Sequence, residues 1–356
     1  MSRFFSRRFD SLTAYTPGEQ PQDQQYIKLN TNESPFEPSP EVIKAVSSEE
    51  VGKLRLYSDP ECKRTVQAIA DYYGVGSKNV VLGNGSDEIL SFIFQAYCDS
   101  DTPVAFPDIS YGFYSVFARL YGVEAQIIPL KEDYSLDVND YCGIGKTVVI
   151  ANPNAPTGMA VSLADIEKIL VSNPDNIVVI DEAYVDFGAD SAVALTKKYH
   201  NLIVVQTFSK SRQLAGARLG FAVAHEDIIT DLNTIRFSTN PYNINRLTLL
   251  AGEASINDKA YFVATRNQII ENREYTVAEL EKRGFRVLPS KTNFVFAAHS
   301  VVGGEELYTK LKSRGILVRF FNKERLSDFL RITIGTKEQM DALLSTLDAI
   351  LSERND

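Results

Sequence analysis

Lys210 lies in the stretch LIVVQTFSKSRQLAGARLGF, residues 202–221, behind an apolar run, between Ser209 and Ser211, and eight residues before Arg218. A solvated surface lysine needs no such setting. Ala215, Gly216 and Ala217 are small enough to let a bulky group approach the backbone. Thr207, Ser209, Ser211 and Arg218 add hydroxyls and a guanidinium, the donors that hold a phosphate, although Arg218 could equally serve a structural ion pair. Upstream, Asp181 and Glu182 follow the apolar run NIVVI, with Tyr184 close behind. A carboxylate at the end of a buried strand is costly unless it meets a cation or several donors. One of the two acids is free to cap a helix instead. Further upstream, GNGSDE (83–88) makes a glycine turn into an amphipathic helix, whose free N–H groups suit an anion. ANPNAPTG (151–158) reads on its own as an ordinary loop.

Each of these features is weak alone, but one ligand needs all of them together. Pyridoxal 5′-phosphate has a phosphate, an aldehyde that joins a lysine, a phenolic oxygen, and a ring nitrogen that a carboxylate keeps protonated. On that reading Lys210 is there to form a Schiff base. The three histidines, His200, His225 and His299, have no HxxxH spacing and no cysteine cluster beside them. A structural zinc therefore has no ligand set, and no metal is expected. Acid–base work falls to lysine, tyrosine or carboxylates.

The elements that must position these residues are legible as alternating patterns. Short runs rich in Val and Ile occur at 79–82, 103–106, 125–128, 147–150, 176–180, 202–205 and 219–224. Their near-continuous apolar character suits strands buried on both faces of a mostly parallel sheet. Amphipathic stretches lie between them, such as SLADIEKILV, where Ser162 and Asp165 fit a capping box. The pattern predicts an α/β domain whose ligand sits beyond the carboxyl ends of the strands. Residues 253–283 read as one long helix stopping at Gly284, and NFVFAA, ILVRFF and FLRITIG then predict a smaller α+β domain closed by a last helix to residue 352.

Composition bounds the rest. At 356 residues, 44% hydrophobic and 23% charged, the chain suits an ordinary globular protein of one large and one small domain. A net charge of −9 without a long basic run makes nucleic acid an unexpected partner. Cys62, Cys98 and Cys142 are widely spaced and odd in number, which points to a reducing compartment without disulfides. The opening MSRFFSRRFD lacks the apolar core of ~7–15 residues that a signal peptide needs. No run reaches the ~18 apolar residues of a membrane span. The start is read as the N-terminal arm of a cytoplasmic protein.

TFSKSRQLAGARLGF, DEAYVDF, NPNAPTG and GNGSDE, in their order along the chain, resemble the signature segments of fold-type-I pyridoxal-phosphate-dependent aminotransferases. More narrowly, LTAYTPGEQP, KLNTNESPFEPSP, LRLYSDPEC, RFSTNPYNIN and LRITIGT resemble segments of the histidinol-phosphate aminotransferase family, over roughly residues 12 to 350. The resemblance implies the fold-type-I architecture: an N-terminal arm (1–35) packing on the small domain and the partner subunit, a large cofactor-binding domain (36–248) with a mostly parallel seven-stranded sheet, and a small C-terminal domain (249–356). It implies transamination of L-histidinol phosphate with 2-oxoglutarate in histidine biosynthesis. The neighbouring activities are aromatic amino acid transamination and, in another reaction class, threonine-phosphate decarboxylation.

Residue by residue, the resemblance makes Lys210 the lysine joined to the cofactor and the proton-transfer base, Asp181 the partner of the pyridinium nitrogen, and Tyr184 the donor to the phenolic oxygen. Tyr111 would stack on the ring. Gly85, Ser86, Asp87, Thr207, Ser209 and Arg218 would hold the phosphate, with Tyr57 reaching the phosphate of the neighbouring subunit in a homodimer. Tyr15, Asn32, Arg319 and Arg331 would bind substrate, Arg331 also anchoring the glutamate carboxylate. The family's Asn-Pro-Thr-Gly appears here with Ala155 in place of its asparagine. Asn154 or Asn152 takes over its bond to the phenolic oxygen, or Tyr184 carries that oxygen alone. A non-enzymatic alternative, the effector-binding module of a transcription regulator, would need a basic DNA-binding segment that the sequence lacks.

Overall fold

The computed structural model describes residues 4–9 and 12–353, so residues 1–3, 10 and 11 of the N-terminal arm lie outside the described residues. Among the described residues, the first strand, β1, is Ile27–Leu29. Seven strands follow: β2 (Val80–Gly83), β3 (Val104–Pro107), β4 (Ala125–Ile128), β5 (Thr147–Ala151), β6 (Val178–Asp181), β7 (Leu202–Thr207) and β8 (Gly220–Ala224). They form one sheet in the order β2-β8-β7-β6-β5-β3-β4. The pairs from β7 to β4 are parallel, and β8 runs against both its neighbours. All seven predicted runs are therefore strands of the expected mostly parallel sheet.

Alternation along these strands fills two cores. Val148, Ile150, Val178, Ile180, Leu202 and Val204 pack on one face against Ile69 and Ile166 of the helices Lys63–Tyr73 and Leu163–Ser172. Val149, Val179, Ile203 and Val205 pack on the other, against Phe92 of helix Ser86–Tyr97 and Leu232 of helix Glu226–Thr239. Burial on both faces explains the unbroken apolar runs of the central strands. The edge strand β4 differs, with Gln126 and Ile127 exposed. Ser162 caps helix Leu163–Ser172 by accepting from the Asp165 amide, while the Asp165 carboxylate takes the Ser162 hydroxyl rather than a backbone N–H.

The remaining strands, β9 (Phe285–Val287), β10 (Phe294–His299), β11 (Ile316–Phe320) and β12 (Phe329–Thr333), join β1 in a second sheet, ordered β1-β11-β12-β10-β9. The arm thus enters the small domain as a strand parallel to β11, burying Leu29 beside Val318 and Ile332. The long helix expected over 253–283 is two, Arg246–Asn257 and Lys259–Lys282. Asp258 separates them, its carboxylate accepting from the Tyr261 amide as an N-cap. Ala251 and Ile256 of the first helix pack into the large-domain core. The boundary expected at 248/249 falls inside that helix, and we propose Asp258 as the division.

Candidate active site

The ends of β2, β5, β6 and β7 and the start of β8 share one edge of the large sheet. The backbones close in so far that only glycine fits. A Cβ on Gly220 would stand 2.3 Å from the Ser86 nitrogen, and one on Gly85, at φ +82°, would stand 2.5 Å from Arg218 Nη2. Helix Ser86–Tyr97 begins behind Gly85 with no side chain capping it, so its first N–H groups stay available. Arg218 Nη2 lies 3.0 Å from Asp87 Oδ2, and the Thr207 and Ser209 hydroxyls are 3.0 Å apart. These groups line a cavity of about 160 Å³ together with Tyr111, Asp181, Tyr184 and Lys210.

Asp181 is 4% exposed at the end of β6. Burial pushes its carboxyl up to about 6, against the pull of a 2.8 Å hydrogen bond from the Tyr114 hydroxyl. No cation offsets that burial among the described residues, so the carboxylate is held where a protonated ring nitrogen would relieve it. Sequence reasoning missed Tyr114. Its only signal was a second tyrosine in YGFY, three residues after Tyr111, which places both on one side of a helical turn. Glu182 takes the other role open to the pair. It accepts from the Ala192 amide at the start of a 3-10 turn, from Ser191 and from Gln206, while burial pushes it up to about 7.

Lys210 Nζ reaches the Thr31 carbonyl at 3.3 Å and lies over the Tyr184 ring. The Tyr184 hydroxyl accepts from Asn32 Nδ2 at 2.9 Å, which leaves its own proton free to donate into the cavity. Asn32 is fixed in turn, at φ +57°, by Thr333 and by the Asn293 amide. Tyr111 donates to Asp87 at 2.7 Å and meets Tyr114 edge-on.

A second cavity, of about 200 Å³, opens on the other side of Lys210 and contains Tyr15, Asn32, Arg319 and Arg331. Arg319 and Arg331 stand directly opposite each other on β11 and β12. Like charges in that register repel, and neither has a carboxylate partner among the described residues. Arg331 is half-buried: its Nη2 donates to the Asn30 carbonyl at 2.7 Å while its Nε is buried and unpartnered, and burial together with Arg319 lowers its affinity for its proton. Burial likewise raises the Tyr15 hydroxyl, against the pull of both arginines.

The side chains of Tyr57 and Asn154 are not brought to either of these two cavities. Tyr57 is 79% exposed and stacks on Tyr242. Asn154 spends its amide on the Ile109 carbonyl and the Thr157 hydroxyl and accepts from Ser110, so it holds its own loop together. Asn152 does the same through Val161. Ala155 lines both cavities, and both asparagines are engaged within their own loop.

Amine, carboxylate, phenol and phosphate donors share one cavity, and this set fits pyridoxal phosphate. Residues 24–347 match the family of class I and II aminotransferases. The chain belongs to this family. It is 49% identical over 352 residues to the histidinol-phosphate aminotransferase of Brachyspira hyodysenteriae, covering 99% of each chain, and 51% identical over 353 residues to that of Marinomonas sp., covering 98% of this chain and 100% of the other. The fold matches the solved histidinol-phosphate aminotransferase of Sinorhizobium meliloti in complex with pyridoxal-5′-phosphate, with a TM-score of 0.89, 24% identity and 99% of each chain covered. Lys210 lines both cavities. No helix among the described residues is long and apolar enough to cross a membrane.

Proposed function

We propose that this aminotransferase binds pyridoxal phosphate and moves the amino group of L-histidinol phosphate to 2-oxoglutarate, giving imidazole acetol phosphate and glutamate in histidine biosynthesis. The observation that carries the reading is the opposed pair Arg319 and Arg331 beside Lys210, with no carboxylate partner among the described residues. Two guanidiniums facing one cavity suit a doubly charged anion, and a substrate phosphate supplies it through forked, charge-assisted bonds. The names of the relatives support the same substrate.

When bound, pyridoxal phosphate supplies an aldehyde for the amino group and a ring that accepts the electron pair left as the adjacent carbon loses its proton. The chain's residues arrange the rest. The N–H groups of Ser86 and Asp87, the Ser209 hydroxyl and Arg218 hold the phosphate at the helix start. Asp181, its ionised form favoured by the Tyr114 hydroxyl, would pair with the ring nitrogen, and Tyr111 would cover the ring. Tyr184, oriented by Asn32, would donate to the phenolic oxygen without help from an asparagine at position 155. Lys210 would join the aldehyde and, as a free amine, move the proton from the substrate carbon. Tyr15, Arg319 and Arg331 hold the phosphate end, and Arg331 holds a carboxylate of the oxo acid in the return half.

The reading includes a cytoplasmic homodimer in which Tyr57 reaches the partner subunit's cofactor phosphate. The exposure of Tyr57 beside the half-exposed Val51, Leu54 and Leu56 supports it, as do three unpaired cysteines. The test is a half-reaction: the cofactor-loaded protein receives L-histidinol phosphate, phenylalanine or threonine phosphate with no oxo acid, and the cofactor absorbance is followed. Conversion by histidinol phosphate at far lower concentration than by phenylalanine is expected. Equal conversion by phenylalanine would make the enzyme an aromatic aminotransferase, and carbon dioxide release from threonine phosphate would make it a decarboxylase.

A further inference from the structure

His200, His225 and Asp227 lie far from Lys210, at the opposite edge of the large sheet. Sequence spacing concealed them, because strand pairing brings the histidines together. β7 begins at Leu202 and β8 ends at Ala224, antiparallel neighbours with Ile203 opposite Ala224. The residues just before β7 and just after β8 therefore meet, and the two imidazole centroids are 3.5 Å apart. His225 then caps helix Glu226–Thr239, whose first turn presents Asp227.

His200 Nε2 and His225 Nδ1 each stand 3.3 Å from the same oxygen, Asp227 Oδ2. A charge-assisted N–H···O bond is shorter, ~2.7–2.9 Å. The edge of a tetrahedron around a zinc-like ion, with bonds of about 2.0–2.1 Å, is ~3.3–3.4 Å. Two of the three edges have ligand spacing, and all three atoms lie within 4.8 Å of one another. A cation placed among them would take a lone pair from each imidazole and from the carboxylate. The side chains are 62%, 36% and 74% exposed, which leaves room for water to complete the coordination.

We propose that His200, His225 and Asp227 bind a divalent transition-metal cation of the zinc class. Imidazole and carboxylate ligands suit that class. The Asp227 amide approaches His225 Nδ1 at 3.3 Å, so binding exchanges a helix cap for a coordinate bond. The ion ties the start of β7, the strand that delivers Lys210, to the end of β8 and the following helix. Its effect is on stability, through preferential binding to the folded state.

The test uses the tag-free, cofactor-loaded protein, stripped with a chelator and titrated with zinc chloride by calorimetry in phosphate-free buffer, with cobalt absorbance alongside. One ion per chain and a zinc-dependent rise in the melting midpoint are expected. His200→Ala and Asp227→Asn spare the His225 cap and the active site. Each should weaken binding by more than the about tenfold that loss of a ligand-orienting partner costs, with transamination unchanged. His299→Ala, at a histidine whose Nδ1 accepts from Val301 and Val302, should bind as the unaltered protein does. No saturable zinc uptake, or uptake undiminished in both His200→Ala and Asp227→Asn, would mean an adventitious ion only and overturn the proposal.

Discussion

Removing one hydroxyl should move the titration of Asp181. The carboxyl rises from 3.8 to about 6 on burial, and Tyr114 is the side chain that holds it down. A rise of about 2 units corresponds to about 3 kcal/mol between the protonated and ionised folded states. A hydrogen bond to a charged group is worth ~1.5–3 kcal/mol against about 1 kcal/mol between neutral groups, so Tyr114→Phe should raise the carboxyl by a further ~0.5–1.5 units. The sign follows from linkage. A carboxyl raised on folding contributes its full stability below the unfolded value near 4 and loses it as pH rises through the folded value. The cofactor-free protein should therefore lose about 3 kcal/mol from this site between pH 4 and pH 6–7, and Tyr114→Phe should go on losing stability to about pH 8.

Urea unfolding of both proteins without cofactor, at fixed pH values from 4.5 to 8, measures this, with Asp181→Asn as the control lacking the titration. Glu182 titrates in both proteins and cancels in their difference. The difference should be about 1 kcal/mol at pH 4.5, where the hydrogen bond joins neutral groups, and ~2–3 kcal/mol at pH 8. A difference independent of pH would refute the claim that Tyr114 acts on the carboxylate. Adding pyridoxal phosphate should reduce the loss at high pH, since a cation then faces Asp181.

Other perturbations separate the parts of the site. Arg319→Ala should lower kcat/KM for histidinol phosphate by ~10–100-fold while phenylalanine turnover changes by less than about threefold, and equal losses would remove Arg319 from phosphate binding. Gly85→Ala puts a Cβ 2.5 Å from Arg218 Nη2 in a positive-φ conformation nearly confined to glycine and costing ~1–3 kcal/mol, so dialysis should strip the cofactor faster; unchanged retention would contradict the tight cradle. Tyr57→Ala should leave cofactor-free stability within about 0.5 kcal/mol yet speed cofactor loss, and no change in loss would deny a contact across subunits. Glu182 is raised from 4.5 to about 7, so its stability contribution also falls as pH rises through 7. Glu182→Gln should flatten that fall by about 3 kcal/mol, and an unaltered slope in urea unfolding would place the titration elsewhere.

Legibility in the sequence followed the physics of each element. Strands buried on both faces carry an unbroken apolar signal, so all seven of the large sheet stood out. β1 and β9 are three residues each, too short for any periodicity, and were missed. The break at Asp258 was hidden because neither glycine nor proline marks it. An aspartate accepting one amide bond is enough, and the signal was the Asn-Asp pair itself.

The active site was legible where a residue acts on the ligand and opaque where it acts on another residue. Lys210, Asp181, Arg218 and the glycine turn announce their chemistry by type and by position at a strand end. Tyr114 does not, because a tyrosine on an amphipathic helix looks like core, and this one is core at 0% exposure with only its hydroxyl committed. Asn32 was legible as a candidate substrate contact, but its bond to the Tyr184 hydroxyl 152 residues away was not. The same distinction explains how Ala155 can stand where the resembled family has asparagine. Under the proposed function, donation to the phenolic oxygen needs one well-aimed proton, and Asn32 holds the Tyr184 hydroxyl from behind. The arginine pair makes the converse case. The resemblance already grouped Arg319 and Arg331, twelve residues apart, as substrate ligands, and the register of β11 on β12 adds that they stand opposite each other as mutually repelling charges.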